Sequence, residues 1–74
     1  MPSSNEVQSR IQAGITGSEA AVEDLNGNGD HFSVAVKAAA FEGKSLIEQH
    51  QMIYAALGDA MKEEIHALSI QTSI

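Results

Sequence analysis

The chain contains no cysteine, which excludes a disulfide framework and leaves no thiolate for a zinc or iron–sulfur site built by this chain alone. Any such metal needs ligands from elsewhere. Tryptophan is absent, and one tyrosine and two phenylalanines are spread over 74 residues. Few large side chains are on hand to fill a centre, so alanine must do much of the packing. Basic residues are scarce as well: Arg10, Lys37, Lys44 and Lys62 stand against ten acids, for a formal charge of −6. That balance repels a phosphate backbone unless the few cations converge on one face. No apolar run approaches the ~20 residues of a membrane span, and Met1-Pro2-Ser3-Ser4-Asn5-Glu6 lacks the basic and apolar regions of a secretory signal. The expectation is a soluble, cytoplasmic chain without membrane contact.

What is present suits one small domain spanning residues 1–74. A domain of this size buries only about 60% of the surface its unfolded chain exposes, so it can hardly hide a deep active site. Ser3 and Glu6 have capping-box spacing, and Val7, Ile11 and Ile15 recur every four residues. The first element therefore reads as an amphipathic helix stopped near Gly17. Residues 20–25 are weakly strand-like, and Asn26-Gly27-Asn28-Gly29-Asp30 is a concentrated turn signal, which predicts a β-hairpin. On its far side Phe32, Val34 and Val36 alternate with Ser33, Ala35 and Lys37, the period of a strand with one buried face.

Gly43 permits a sharp turn, and Ser45 with Glu48 repeats the capping-box spacing at the head of a second helix running to about Leu57, before Gly58. Its core stripe reads as Leu46, His50, Ile53 and Leu57, with Tyr54 beside it. Residues 59–64 suggest one further helical turn, and 65–72 a closing strand with His66, Leu68 and Ile70 on one face. The order αββαβ defines an α+β fold. A strand that leaves through a helix and returns as a strand makes a parallel crossover, so the strands at 31–37 and 65–72 should be parallel neighbours in a mixed three-stranded sheet. Both helices should then lie on one face, leaving the other open.

The chemistry-bearing residues are three imidazoles and one lysine turn. A neutral imidazole ligates iron, raises the potential of a [2Fe–2S] cluster relative to thiolate, and leaves a bond that protonation breaks. His66, at the start of the closing strand, has that capacity; its structural alternative is a half-buried ring bonded to backbone at the sheet edge. His31 precedes inward-facing Phe32, so alternation turns it to the opposite face, as a solvated hairpin residue or as a second ligand carried by the glycine-rich loop. His50 reads as a packing residue between helix and sheet. Gly43-Lys44 at a helix head resembles a phosphate-cradling turn, although Glu42 repels a phosphate and turn geometry alone explains the glycine. Asp59, Glu63 and Glu64 read as a solvated acidic surface. Ser33, Ser45 and Ser69 find no histidine at a spacing that forces a pair, and no paired carboxylates stand out, so catalysis is not expected.

Four segments in order resemble the BolA family: His31-Phe32-Ser33-Val34-Ala35-Val36, Phe41-Glu42-Gly43-Lys44-Ser45-Leu46, His50-Gln51-Met52-Ile53-Tyr54-Ala55-Ala56-Leu57 and Ile65-His66-Ala67-Leu68-Ser69-Ile70. They cover roughly the last three fifths of the chain and keep the family's spacing. The resemblance implies a fold like the class II KH domain and one of two roles. In the first, the protein partners a monothiol glutaredoxin in [2Fe–2S] trafficking and iron homeostasis. It is then a monomer alone and a heterodimer with its partner, binding no cluster by itself. The cluster would be shared with the glutaredoxin and glutathione, with His66 as ligand and His31 as the possible further one. In the second, it is a DNA-binding transcriptional regulator using the helix-turn-helix-like surface around Gly43 and Lys44, with Lys37 nearby in the cation set. Where BolA-like proteins carry Arg-His-Arg on the second helix, this chain has Gln49-His50-Gln51, so two positive charges of the nucleic-acid surface are missing. The hairpin loop, where relatives place a Cys or His ligand, offers only His31 directly beside Phe32.

Overall fold

The computed structural model describes residues 3–25, 27, 31–58 and 67–74. Helix α1 (Ser4–Gly14) begins where the Ser3 hydroxyl accepts the Glu6 N–H at 3.1 Å. The reciprocal arm of a capping box is not made: the Glu6 carboxylate instead lies 3.4 Å from the Arg10 guanidinium. Val7 and Ile11 are fully buried, and Ile15 follows them into the core. The helix stops at Gly14, not near Gly17, because Ile15 is already extended and Gly17, at φ +78°, serves the turn into the first strand.

Strands β1 (Glu19–Asp24) and β2 (His31–Lys37) pair antiparallel, and the Leu25 N–H donating to the His31 carbonyl at 2.8 Å continues the ladder at the loop end. Of the expected turn, Asn26 and residues 28–30 lie outside the described residues. After β2, a single 3-10 turn, Ala39–Phe41, interrupts the loop and drives Phe41 completely into the core. The sequence reading did not separate this turn. Gly43 then reverses the chain at φ +79°, a conformation costly for any residue with a Cβ.

Helix α2 (Leu46–Leu57) carries both arms of its capping box: Glu48 N–H donates to the Ser45 hydroxyl at 3.2 Å, and Ser45 N–H donates to the Glu48 carboxylate at 3.0 Å. At the other end Arg10 donates to the Leu57 carbonyl at 3.1 Å, placing a cation where the helix dipole favours one. The buried stripe corrects the expected one. Gln49, Ile53 and Leu57 face inward, His50 is half-buried on the flank, and Leu46 is 67% exposed because the first turn overhangs the sheet.

Strand β3 (Ala67–Ser73) pairs parallel with β2, giving the sheet order β1-β2-β3 expected from the crossover. The expected start of this strand at 65–66 and the helical turn over 59–64 lie outside the described residues. Register aligns Val22, Val34 and Ile70 in one row and Ala20, Val36 and Thr72 in the next. These rows face α1 and α2, and Phe32, Val34 and Val36 are essentially sealed while Ala35 and Lys37 on the alternate positions are exposed. Each sealed aliphatic or Phe side chain contributes about 1.5–3 kcal/mol. The helices thus cover one face of the sheet and leave the other to solvent. They also approach closely, for a Cβ on Gly14 would stand 2.5 Å from the Ala56 Cβ.

Candidate functional site

His31 opens β2 on the uncovered side of the sheet, since Phe32 next to it is fully buried and strand geometry alternates. Its ring is half-buried. The parallel register sets His31 opposite Ala67, the residue that follows His66 in the sequence. His66 itself lies outside the described residues. The start of β3 and the start of β2 therefore meet at one end of the sheet, separated in sequence by α2 and its connections. Among the described residues no group of three or more His, Asp or Glu could hold a metal ion. With no thiolate in the chain, imidazole is the nitrogen donor it can offer a metal such as iron.

The Gly43-Lys44 turn is the other sequence-predicted site. A phosphate-binding helix start needs free N–H groups, and here several of the N–H groups around the turn are bonded internally. Lys44 N–H donates to the Phe41 carbonyl at 3.0 Å, Ser45 N–H to Glu48, Glu48 N–H to Ser45, and Gln49 N–H to the Ser45 carbonyl at 2.9 Å. The backbone and side-chain bonds with Ser45 hold the Glu48 carboxyl below its ordinary value, with Lys44 adding a smaller pull in the same direction. An anionic carboxylate thus occupies the helix head. Lys44 is exposed, and Lys37 is exposed at the far end of β2, paired in register with Glu19.

Sequence reasoning missed Gln49, the buried polar residue at this turn. Its side-chain amide donates to the Phe41 carbonyl at 3.3 Å and the Lys44 carbonyl at 3.1 Å, and its oxygen accepts from the Thr72 hydroxyl. One amide therefore ties the turn, α2 and β3 together. The signal was available in its spacing, since Gln49 lies four and eight residues before Ile53 and Leu57. A groove of about 450 Å³, lined by Gln8, Gln12, Glu19, Lys37, Gln71 and Ser73 among others, lies at the sheet end opposite His31 and contains no histidine.

A small α+β fold with two helices on one face of a mixed three-stranded sheet has the topology of a KH-like domain. The chain belongs to the BolA-like protein family, whose sequence profile matches residues 5–74. It is 31% identical over 70 residues to RP812 of Rickettsia prowazekii, covering 95% of this chain and 91% of that one. It is 53% identical over 51 residues to BOLA2 of Arabidopsis thaliana, covering 68% of this chain and 54% of that one. The DNA-binding transcriptional regulator BolA of Escherichia coli is 33% identical over 46 residues, covering 62% of this chain and 44% of the regulator. Among solved structures, a BolA homologue from Coxiella burnetii superposes with a TM-score of 0.83 at 34% identity, covering 99% of this chain and 91% of that one. The BolA domain of Arabidopsis SufE1 superposes with a TM-score of 0.83 at 31% identity, with 99% and 93% covered. No helix among the described residues is long and apolar enough to cross a membrane.

Proposed function

We propose that this chain is a non-enzymatic adaptor that docks on a monothiol glutaredoxin and shares its [2Fe–2S] cargo through His66, with His31 as the further imidazole. The observation that carries this reading is the parallel pairing of His31 with Ala67, which brings the segment after His66 to the strand on which His31 sits. The cysteine-free sequence supports it too, because the thiolates must come from the glutaredoxin and its glutathione. The occurrence of a BolA domain within SufE1 is in keeping with a module that works beside another protein. A [2Fe–2S] cluster supplies the electron-accepting iron; this chain supplies imidazole nitrogen as a ligand.

The test is spectroscopic. Mixing the chain with cluster-loaded glutaredoxin should shift the visible absorption and circular dichroism, His66→Ala should suppress the shift, and His31→Ala should reduce it. A shift of full size with His66→Ala would remove the central ligand from the proposal. The regulator reading, suggested by the E. coli relative, has less physical support. Its natural phosphate cradle at Gly43-Lys44 has an anionic carboxylate, Glu48, bonded at the helix head. Salt-sensitive binding of duplex DNA by the isolated chain, weakened by Lys44→Ala, would restore it.

A further inference from the structure

The two edges of the sheet are treated differently. On β1, residues alternate between bonding β2 and pointing outward, and the outward Ala20 has both groups occupied: its carbonyl accepts from Gln8 at 2.8 Å and its N–H donates to Gln12 at 3.1 Å. That edge also carries Glu19, Glu23 and Asp24. Charge and side-chain capping are the usual protections of an exposed edge.

Among the described residues strand β3 shows neither. Ala38 N–H donates to the Ser73 carbonyl at 3.0 Å while Ser73 is in register with Lys37, so Ser73, Gln71 and Ser69 turn their backbone groups toward β2. Leu68, Ile70 and Thr72 consequently turn theirs outward. Among the described residues no group pairs with them. The seven-residue strand Ala67–Ser73 contains no charged residue and no proline.

Above this edge lies an apolar flank. Helix α1 packs on β1 and meets α2 at Ala56, whereas Gln49 of α2 reaches Thr72 of β3. Helical spacing puts Ile47, His50 and Tyr54 on the flank of α2 turned away from α1, and therefore on the β3 side. Ile47 is 71% and Tyr54 41% exposed.

We propose that two copies of this chain pair antiparallel along their β3 edges, Ile70 facing its own counterpart, to form one continuous six-stranded sheet. The strand is self-complementary in this register. Leu68 meets Thr72 of the second copy, the row Val22-Val34-Ile70 continues across the twofold axis, and no like charges face each other despite the net charge of −6. The two α2 helices stay on the same sheet face, and each brings its Ile47 and Tyr54 flank toward the other. An isologous contact of this kind closes at two copies. It differs from the monomer expected of the isolated chain, and it does not rest on the glutaredoxin reading.

Sedimentation equilibrium of the full chain without any partner tests it. The weight-average mass should rise with concentration from 7.8 kDa toward twice that value, while hydrogen exchange slows at Leu68, Ile70 and Thr72. S69K/Q71K places ammonium groups on the open face opposite one another across the strand pair, yet both side chains are exposed in the single copy. That variant should keep its circular dichroism and stay at monomer mass, and mixing it with S69E/Q71E should restore the double mass. A monomer mass for the unmodified chain at millimolar concentration overturns the proposal. So does a dimer indifferent to S69K/Q71K, which would be joined elsewhere. Edge protection that appears only on adding a foreign extended peptide would make the occupant a partner's strand and overturn pairing between copies.

Discussion

The Thr72 hydroxyl donates to the side-chain oxygen of Gln49, so the end of the last strand is fastened to the first turns of α2. The same amide's nitrogen serves the Phe41 and Lys44 carbonyls. One buried side chain thereby fixes the path of the Gly43 turn against the sheet.

Replacing it should be expensive. Gln49→Ala leaves two carbonyls and a hydroxyl without their partner, and each orphaned buried group costs about 1–3 kcal/mol; partial access of water to the turn limits the total. Urea unfolding should show a lower midpoint by an amount in that range, with Gln49→Met recovering volume but not the bonds. An unchanged midpoint for Gln49→Ala would show that the amide is dispensable.

Gly14 and Ala56 give a steric prediction. A Cβ at Gly14 would stand 2.5 Å from the Ala56 Cβ and 2.9 Å from its Cα, so Gly14→Ala should push α1 off α2 and cost about 1–3 kcal/mol, the usual range for overpacking. Ala56→Gly in the same chain removes the closer contact and should recover part of the loss. Equal thermal midpoints for Gly14→Ala and the unmodified chain would contradict the close approach of the helices.

The Glu48 cap should be sensitive to acid. Its bonds with Ser45 lower the folded-state pKa of the carboxyl, so its stabilising effect is fully present above the ordinary carboxylate pKa and is lost as pH falls through the lowered folded value. Glu48→Gln should flatten that part of the stability–pH curve, measured by denaturant midpoints in steps below neutrality. A curve of unaltered shape in the variant would assign the acid dependence to other groups.

The β1 edge offers a solubility test. Removing Gln8 and Gln12 together bares the Ala20 N–H and carbonyl, which they now occupy. Q8A/Q12A should lower stability by about 1–3 kcal/mol for the two bonds and increase light scattering on storage, because an uncapped edge templates further pairing. Scattering and stability equal to those of the parent would mean that water and the neighbouring acids protect the edge well enough.

Much of this architecture was legible in the residues because it depends on short-range rules. Ser45 and Glu48 announce their helix by spacing, Phe32, Val34 and Val36 announce their strand by alternation, and a helix between two strands implies the parallel pairing found for β2 and β3. The likeness to BolA proteins was legible in the same way, through four segments in order. Less legible was the inward stripe of α2. Leu46 looks like a core residue by hydropathy, but its turn overhangs the sheet, and polar Gln49 takes the inward place because two carbonyls and a hydroxyl await it there.

Composition and local pattern alone settled that this chain brings imidazole and no thiolate, that its elements run αββαβ, and where its helices are capped. Tertiary structure alone decided that His31 stands opposite Ala67, that the Glu48 carboxylate is bonded at the head of the lysine turn's helix, and that among the described residues Ala20 on one sheet edge is capped while no group pairs with the outer groups of β3. The reason is physical: caps and periodicity act over three or four residues, whereas register, burial and hydrogen-bond satisfaction depend on segments tens of residues apart meeting in space.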